Sequence, residues 1–237
     1  MEKALIAILL IGLIIVVFQS RRAPKGDLGK RGGIRRLKGE EMKRLKEKIG
    51  AEDGLVVDVR SEEEYRAGHV AGSINLPLTN QGLGAAVEKV DDCKERPLIL
   101  YCRSGSRSNR AAQELLEQGF QEIYSAPGVG QYKYDLVTYT EVRGKELLTM
   151  KDEEDAILVD ARSEEAYAEG HIEGAINIPF AKLQENPEQL PKEKKILLYC
   201  ATGKTSTKCA QFLTEKGFQR IYNSVEGVNS CDIKLVK

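Results

Sequence analysis

Residues 53–77 read DGLVVDVRSEEEYRAGHVAGSINLP, and residues 155–179 read DAILVDARSEEAYAEGHIEGAINIP, identical at fourteen of twenty-five positions. Further on, LILYCRSGSRSNRAAQELLEQGFQEIYS at 98–125 answers ILLYCATGKTSTKCAQFLTEKGFQRIYN at 196–223. The first pair is offset by 102 residues and the second by 98, so the intervening loop is shorter in the second copy. A chain written twice in this way folds as two similar units of about 100 residues, a common domain size. The predicted boundaries are 34–138 and 139–237.

Each copy alternates strand and helix signals. Leu55–Val59 and Ile157–Ala161 are short β-branched-rich runs suited to buried parallel strands. Ser61 to Glu64 reads as a capping box that opens a helix, and Ser163 caps the matching one. Leu98–Tyr101 and Ile196–Tyr199 are again buried-strand runs, each ending at a cysteine. An amphipathic helix follows, closed by Gly119 or Gly217, and Ile123-Tyr124 and Ile221-Tyr222 begin one more strand. The expected class is α/β, a parallel-sheet core flanked by helices in each copy. Sites in such sheets lie at the carboxyl ends of strands, where Cys102 and Cys200 stand.

The run Cys102-Arg103-Ser104-Gly105-Ser106-Arg107-Ser108 carries the chemistry. Gly105 is free to take a positive φ, and the turn feeds a helix amino terminus, so successive N–H groups can face inward as an anion nest. A thiol in that cradle has a lowered pKa and is the nucleophilic thiolate. Arg103 and Arg107 add two permanent positive charges where an anionic substrate would sit. Two histidines, and five cysteines at 93, 102, 200, 209 and 231 with no CxxC pair, exclude most metal sites and a disulfide framework.

These residues resemble those of the rhodanese-like sulfurtransferases in tandem-domain form. The resemblance rests on DVRSEEEYRAGHVAGSINLP and YCRSGSRS and, through their repeats, covers about residues 34–237. It implies two rhodanese-like domains, with an active loop at 102–107 and a degenerate one at 200–205. It also implies that Cys102 takes a sulfane sulfur from thiosulfate or a persulfide and passes it to a thiol, cyanide or protein acceptor. Arg103, Ser104, Gly105, Ser106 and Arg107 would then bind the small anionic donor. No cofactor or metal is required, and two-step transfer through a covalent persulfide implies double-displacement kinetics.

The second loop departs from that pattern. Ala201 stands for Arg103 and Thr205 for Arg107, while Lys204 supplies one charge a residue early, so Cys200 with Lys204 is a weaker second candidate. His69 and His171 are expected to brace turns, and Asp58, Asp160, Arg60 and Arg162 to be scaffold. Cys209 reads as packing, and Cys231 as a thiol that could resolve a persulfide. Gly203-Lys204-Thr205 fails as a P-loop, because the first glycine of that motif would fall on Leu198. A docking or sulfur-relay module is the alternative to an enzyme. A phosphatase or arsenate reductase ranks below both, because only four residues separate Cys102 from Arg107 and the cradle is small.

Lys and Arg total 36, as do Asp and Glu, so no whole-chain charge points to nucleic acid. Residues 1–33 hold six basic and two acidic side chains, however, and Ala4 to Phe18 are apolar throughout. Fifteen helical residues span about 22 Å, short of a hydrocarbon core of about 30 Å, but Lys3 can snorkel at one end and Gln19-Ser20 extend the other. No small-residue cleavage site follows. Residues 1–20 are therefore expected to form a single-pass membrane anchor and 21–33 a basic tether, with the body held on the cytoplasmic side by the positive charges after the span.

Overall fold

A computed structural model describes residues 33–229 and 233–237 of the chain. The expected anchor at 1–20, nearly all of the tether and Cys231 lie outside the described residues. Among the described residues no helix is long and apolar enough to cross a membrane.

The first repeat is built on five parallel strands. In chain order these are β1 (Ile34–Arg36), β2 (Leu55–Asp58), β4 (Ser73–Asn75), β5 (Leu98–Tyr101) and β6 (Ile123–Ser125), arranged β1-β6-β5-β2-β4. Helix α1 (Gly39–Asp53) follows β1, α2 (Glu62–Ala67) follows β2, a 3-10 helix covers Gly84–Cys93, and α3 (Ser106–Glu117) follows β5. The short strands β3 (His69–Val70) and β7 (Leu136–Val137) pair antiparallel, returning the chain to its own repeat before it leaves.

The second repeat has the same plan. Strands β8 (Thr140–Val142), β9 (Ala156–Asp160), β10 (Ile176–Asn177), β11 (Lys195–Tyr199) and β12 (Ile221–Ser224) lie in the order β8-β12-β11-β9-β10, again all parallel. Its helices are α4 (Gly144–Met150), α5 (Glu164–Glu169), α6 (Phe180–Glu185) and α7 (Lys204–Glu215). A bridge between His171 and Val236 stands where β3 and β7 pair in the first copy. The duplication thus extends to the edge strands β1 and β8, whose sequences share no visible pattern.

Central strands bury both faces, as their unbroken apolar runs require. Leu98 and Leu100 enter one core cluster, while Ile99 and Tyr101 enter another across the sheet. Ile196 and Leu198 part from Leu197 and Tyr199 in the same way. The expected capping box closes: Ser61 Oγ accepts from Glu64 N at 3.2 Å, and Glu64 Oε2 accepts from Ser61 N at 3.1 Å. Ser163 caps α5 by accepting from Ala166 N at 3.3 Å.

Buried polar groups join the two repeats. The Glu141 carboxylate accepts from Gly72 N at 2.6 Å and from Asn223 Nδ2 at 2.9 Å, and Glu141 N donates to Tyr65 Oη. Arg143 is buried between Asp92 of the first repeat, at 2.5 Å, and Glu226 of the second, at 2.7 Å. Val225 reaches across to join the core of the first repeat.

Candidate active site

Strand β5 ends one residue before Cys102, and the three residues after the cysteine turn the chain into α3. Gly105 makes that turn with φ 86°, a left-handed conformation that costs a glycine little. The turn brings Gly105 N to 3.1 Å from Cys102 Sγ, with Ser108 Oγ at 3.7 Å. Cys102 is only 1% exposed. Burial pushes its pKa up, but the backbone N–H groups of Ser108, Ser104 and Gly105 and the Ser108 hydroxyl outweigh it and leave the thiol below its ordinary 9.0. The Gly105 amide meets the sulfur at hydrogen-bond distance, and the Ser104 and Ser108 amides act in the same direction, so the loop favours the thiolate.

The loop is backed by a second segment. Val129 N donates to Cys102 O at 2.9 Å and Gly130 N to Arg103 O at 3.0 Å. A Cβ at Gly128 would lie 2.1 Å from Arg103 O, so only glycine lets this segment close on the loop. Pro127-Gly128-Val129-Gly130 is a turn signal that sequence reasoning passed over.

The two arginines have different surroundings. Arg103 is exposed at the mouth and makes no ion pair among the described residues. Arg107 grips Glu64 with both terminal nitrogens, Nη1 to Oε2 at 2.5 Å and Nη2 to Oε1 at 2.8 Å. Hydrogen bonding to Arg107, with help from Ser61, brings the Glu64 carboxyl down to about 2 despite partial burial. The loop therefore presents one uncompensated arginine instead of the two that its sequence suggests. Ser104 and Ser106 are exposed on the rim.

The scaffold expectations agree with the geometry. Asp58 accepts from Arg60 N at 2.9 Å and pairs with its guanidinium, which also donates to Gly68 O at 2.7 Å. Asp160, Arg162 and Gly170 repeat the arrangement. His69 stacks on Tyr65 with ring centroids 3.7 Å apart and places Nδ1 3.0 Å from Tyr65 O. Burial lowers its pKa to about 4, so it is neutral, and neither it nor Asp58 bonds to Cys102.

In the second repeat Gly203 makes the same turn, with φ 80°, but backbone stands closer to it. The place of a Gly203 Cβ is 2.5 Å from Val225 O, and that of a Gly227 Cβ 1.7 Å from Ala201 O. Cys200 is buried, and among the described residues no hydrogen bond reaches its sulfur. Lys204 is exposed and lines a cavity of about 440 Å³ together with Lys46, Thr202, Thr207 and Lys208. Burial pushes the neighbouring Cys209 thiol up to about 12, in line with a packing role. Among the described residues no group of side chains could hold a metal ion.

Known proteins resemble parts of the chain. Thiosulfate sulfurtransferase GlpE of Coxiella burnetii is 36% identical over 89 residues, 38% of this chain and 83% of that protein. The tRNA uridine(34) hydroxylase of Hamiltonella defensa is 35% identical over 86 residues, 35% of this chain but only 24% of that protein. Among solved structures, a rhodanese with anions from E. coli is 30% identical, with a TM-score of 0.31, and the match covers 35% of this chain and 96% of that one. The Rhodanese-like domain family matches twice, at residues 41–128 and 144–232. With both repeats matched over most of their length, the chain belongs to the rhodanese-like domain family.

Proposed function

We propose that the protein is a sulfurtransferase of the rhodanese type, carrying sulfane sulfur on Cys102. The observation that supports this most is the Gly105 N–H aimed at a buried sulfur whose pKa is lowered by its loop. The thiolate attacks the outer sulfur of thiosulfate, forming a sulfur–sulfur bond while the bond to the sulfonate group breaks and its electron pair leaves with sulfite. The persulfide left on Cys102 is itself an anion, held by the same loop through both half-reactions. A thiol, cyanide or protein thiolate then takes the outer sulfur and regenerates the Cys102 thiolate. Arg103 draws the anionic donor to the mouth, and the exposed rim of Ser104 and Ser106 leaves room for the acceptor. The similarity to a protein named thiosulfate sulfurtransferase favours thiosulfate or a persulfide as donor.

The apolar run at 4–18 and the basic residues after it support a single-pass anchor with the repeats on the cytoplasmic side of the cell membrane. Membrane extraction tests this: the full chain should resist high salt and carbonate but yield to detergent, whereas release by carbonate would remove the anchor.

Intact-protein mass before and after thiosulfate tests the reaction. The full chain and Cys200→Ser should each gain one sulfur atom, and Cys102→Ser none. No gain in any folded form would remove thiosulfate as donor and favour the docking or sulfur-relay reading.

A further inference from the structure

Glu64 caps α2, yet it also reaches across 43 residues of sequence to take Arg107 in a two-point grip at the rim of the cysteine loop. The cap does not need this bond. Ser163 caps α5 with Ala166 at the position of Glu64, and there Thr205 stands for Arg107. Both members of the pair are therefore present in the first repeat and both absent from the second. That pattern marks the carboxylate and guanidinium as a unit belonging to the loop, not to the helix.

The pair's effect on the loop is electrostatic. Each partner is about one-third exposed, so the pair is in contact with solvent at the rim, where a ligand would approach. Arg107 sits in the first turn of α3, next to Ser108, whose Oγ lies 3.7 Å from Cys102 Sγ, which places it on the loop that holds the sulfur. With Glu64 in place, the net charge that side chains of the loop offer an incoming anion comes from Arg103. Without Glu64 it would be larger by one unit.

We propose that Glu64 is a positioning and specificity-determining residue, which holds Arg107 at the rim and cancels its charge so that singly charged sulfur donors are favoured relative to doubly charged ones. The proposal rests on the sulfurtransferase reading and deepens it. Interaction energy scales with ligand charge, so whatever factor one added unit of rim charge gives a monoanion, a dianion gains its square. At the separations of a loop this size in a solvated site, that factor is about threefold for a monoanion and about tenfold for a dianion.

The test compares thiosulfate, a dianion, with methanethiosulfonate, a monoanion that gives up its outer sulfur in the same way and leaves as methanesulfinate. The rate constant for loading Cys102 is measured for each donor with the full chain and with Glu64→Gln. Glutamine keeps the capping-box acceptor while removing the charge, which guards the fold. Glu64→Gln should speed loading by about tenfold for thiosulfate and about threefold for methanethiosulfonate, with both gains shrinking as salt rises. Equal changes for the two donors, or a loss that salt does not alter, would overturn the proposal and leave Glu64 as a brace for loop shape.

A second comparison uses Arg107→Thr alone and together with Glu64→Ala, the pair found in the second repeat. The single variant leaves a bare carboxylate at the mouth, so it should load thiosulfate more slowly than the double variant. The reverse order would also overturn the proposal. Failure of wild-type protein to load from either donor would instead count against sulfur transfer itself, so the two failures are distinct.

Discussion

The loops after Cys102 and Cys200 share a turn, a glycine at φ 86° or 80°, and a twelve-residue helix that starts at the next residue. They differ in what surrounds them. Around Cys102, Gly105 N and Ser108 Oγ face the sulfur, and beyond the Gly105 position the nearest atom is Gln131 Oε1 at 3.8 Å. Around Cys200, Val225 O fills the corresponding space and Glu226, one residue on, is tied into the Arg143 ion network that also holds Asp92. The same backbone thus carries an amide and a hydroxyl facing the sulfur in one copy and a backing segment tied into the ion network between the repeats in the other. A duplicated loop can keep its fold while its side chains and backing segment change its use.

The largest expected effect is the difference between the two cysteines. Cys102→Ser should lower thiosulfate:cyanide turnover by about a hundredfold or more, whereas Cys200→Ser should stay near wild type. Comparable losses would erase the comparison.

The backing glycines sharpen it. Gly128→Ala and Gly227→Ala each force a methyl group into loop backbone, at a stability cost of about 2 kcal/mol by denaturant unfolding. Only Gly128→Ala should also slow sulfur loading, since it displaces Arg103 and Ser104. A loading defect in Gly227→Ala at a temperature where it is fully folded would show that the second loop takes part.

Breaking the joint should affect stability and not chemistry. Arg143→Ala leaves Glu226 buried without its main partner, so unfolding should become easier by about 3 kcal/mol. Loading of folded protein should be unchanged in a single-turnover assay.

The pH dependence of loading is a smaller effect. The rate should rise with pH through a midpoint below 9.0 and then level off, because the thiolate is the reactive form. Ser108→Ala should move that midpoint upward by removing a hydroxyl that favours the thiolate. The sign for stability follows: the folded pKa is depressed, so the contribution of Cys102 is complete above about 9 and is lost as pH falls through the folded value. A midpoint at or above 9.0 in wild type would contradict the nest.

Much of this architecture was legible in the sequence because it is local or periodic. The strand runs at Leu98 and Ile196, the box from Ser61 to Glu64 and the glycines closing α3 and α7 depend on neighbours a few residues away. The repeat then placed both cysteines at the same point in the fold. What escaped notice joins distant residues. Ile34–Arg36 is a charged three-residue edge strand that pairs on one side only, so it lacks the apolar run that marks β5. The Arg143 network spans 83 residues to Glu226, and both charges look like surface groups until the fold buries them. Glu64 and Arg107 are 43 residues apart, and each already had a local role, as cap and as cradle charge, that hid the bond between them.

The most direct measurement is peptide-level mapping of the sulfur itself. The full chain is loaded with thiosulfate, its persulfides are trapped by alkylation, and the peptides holding Cys102 and Cys200 are quantified separately. A sulfur faced by Gly105 N and Ser108 Oγ in one loop, and by no hydrogen bond among the described residues in the other, predicts the added sulfur on Cys102 alone. Sulfur on Cys200, or shared equally between the two, would contradict the division between the loops.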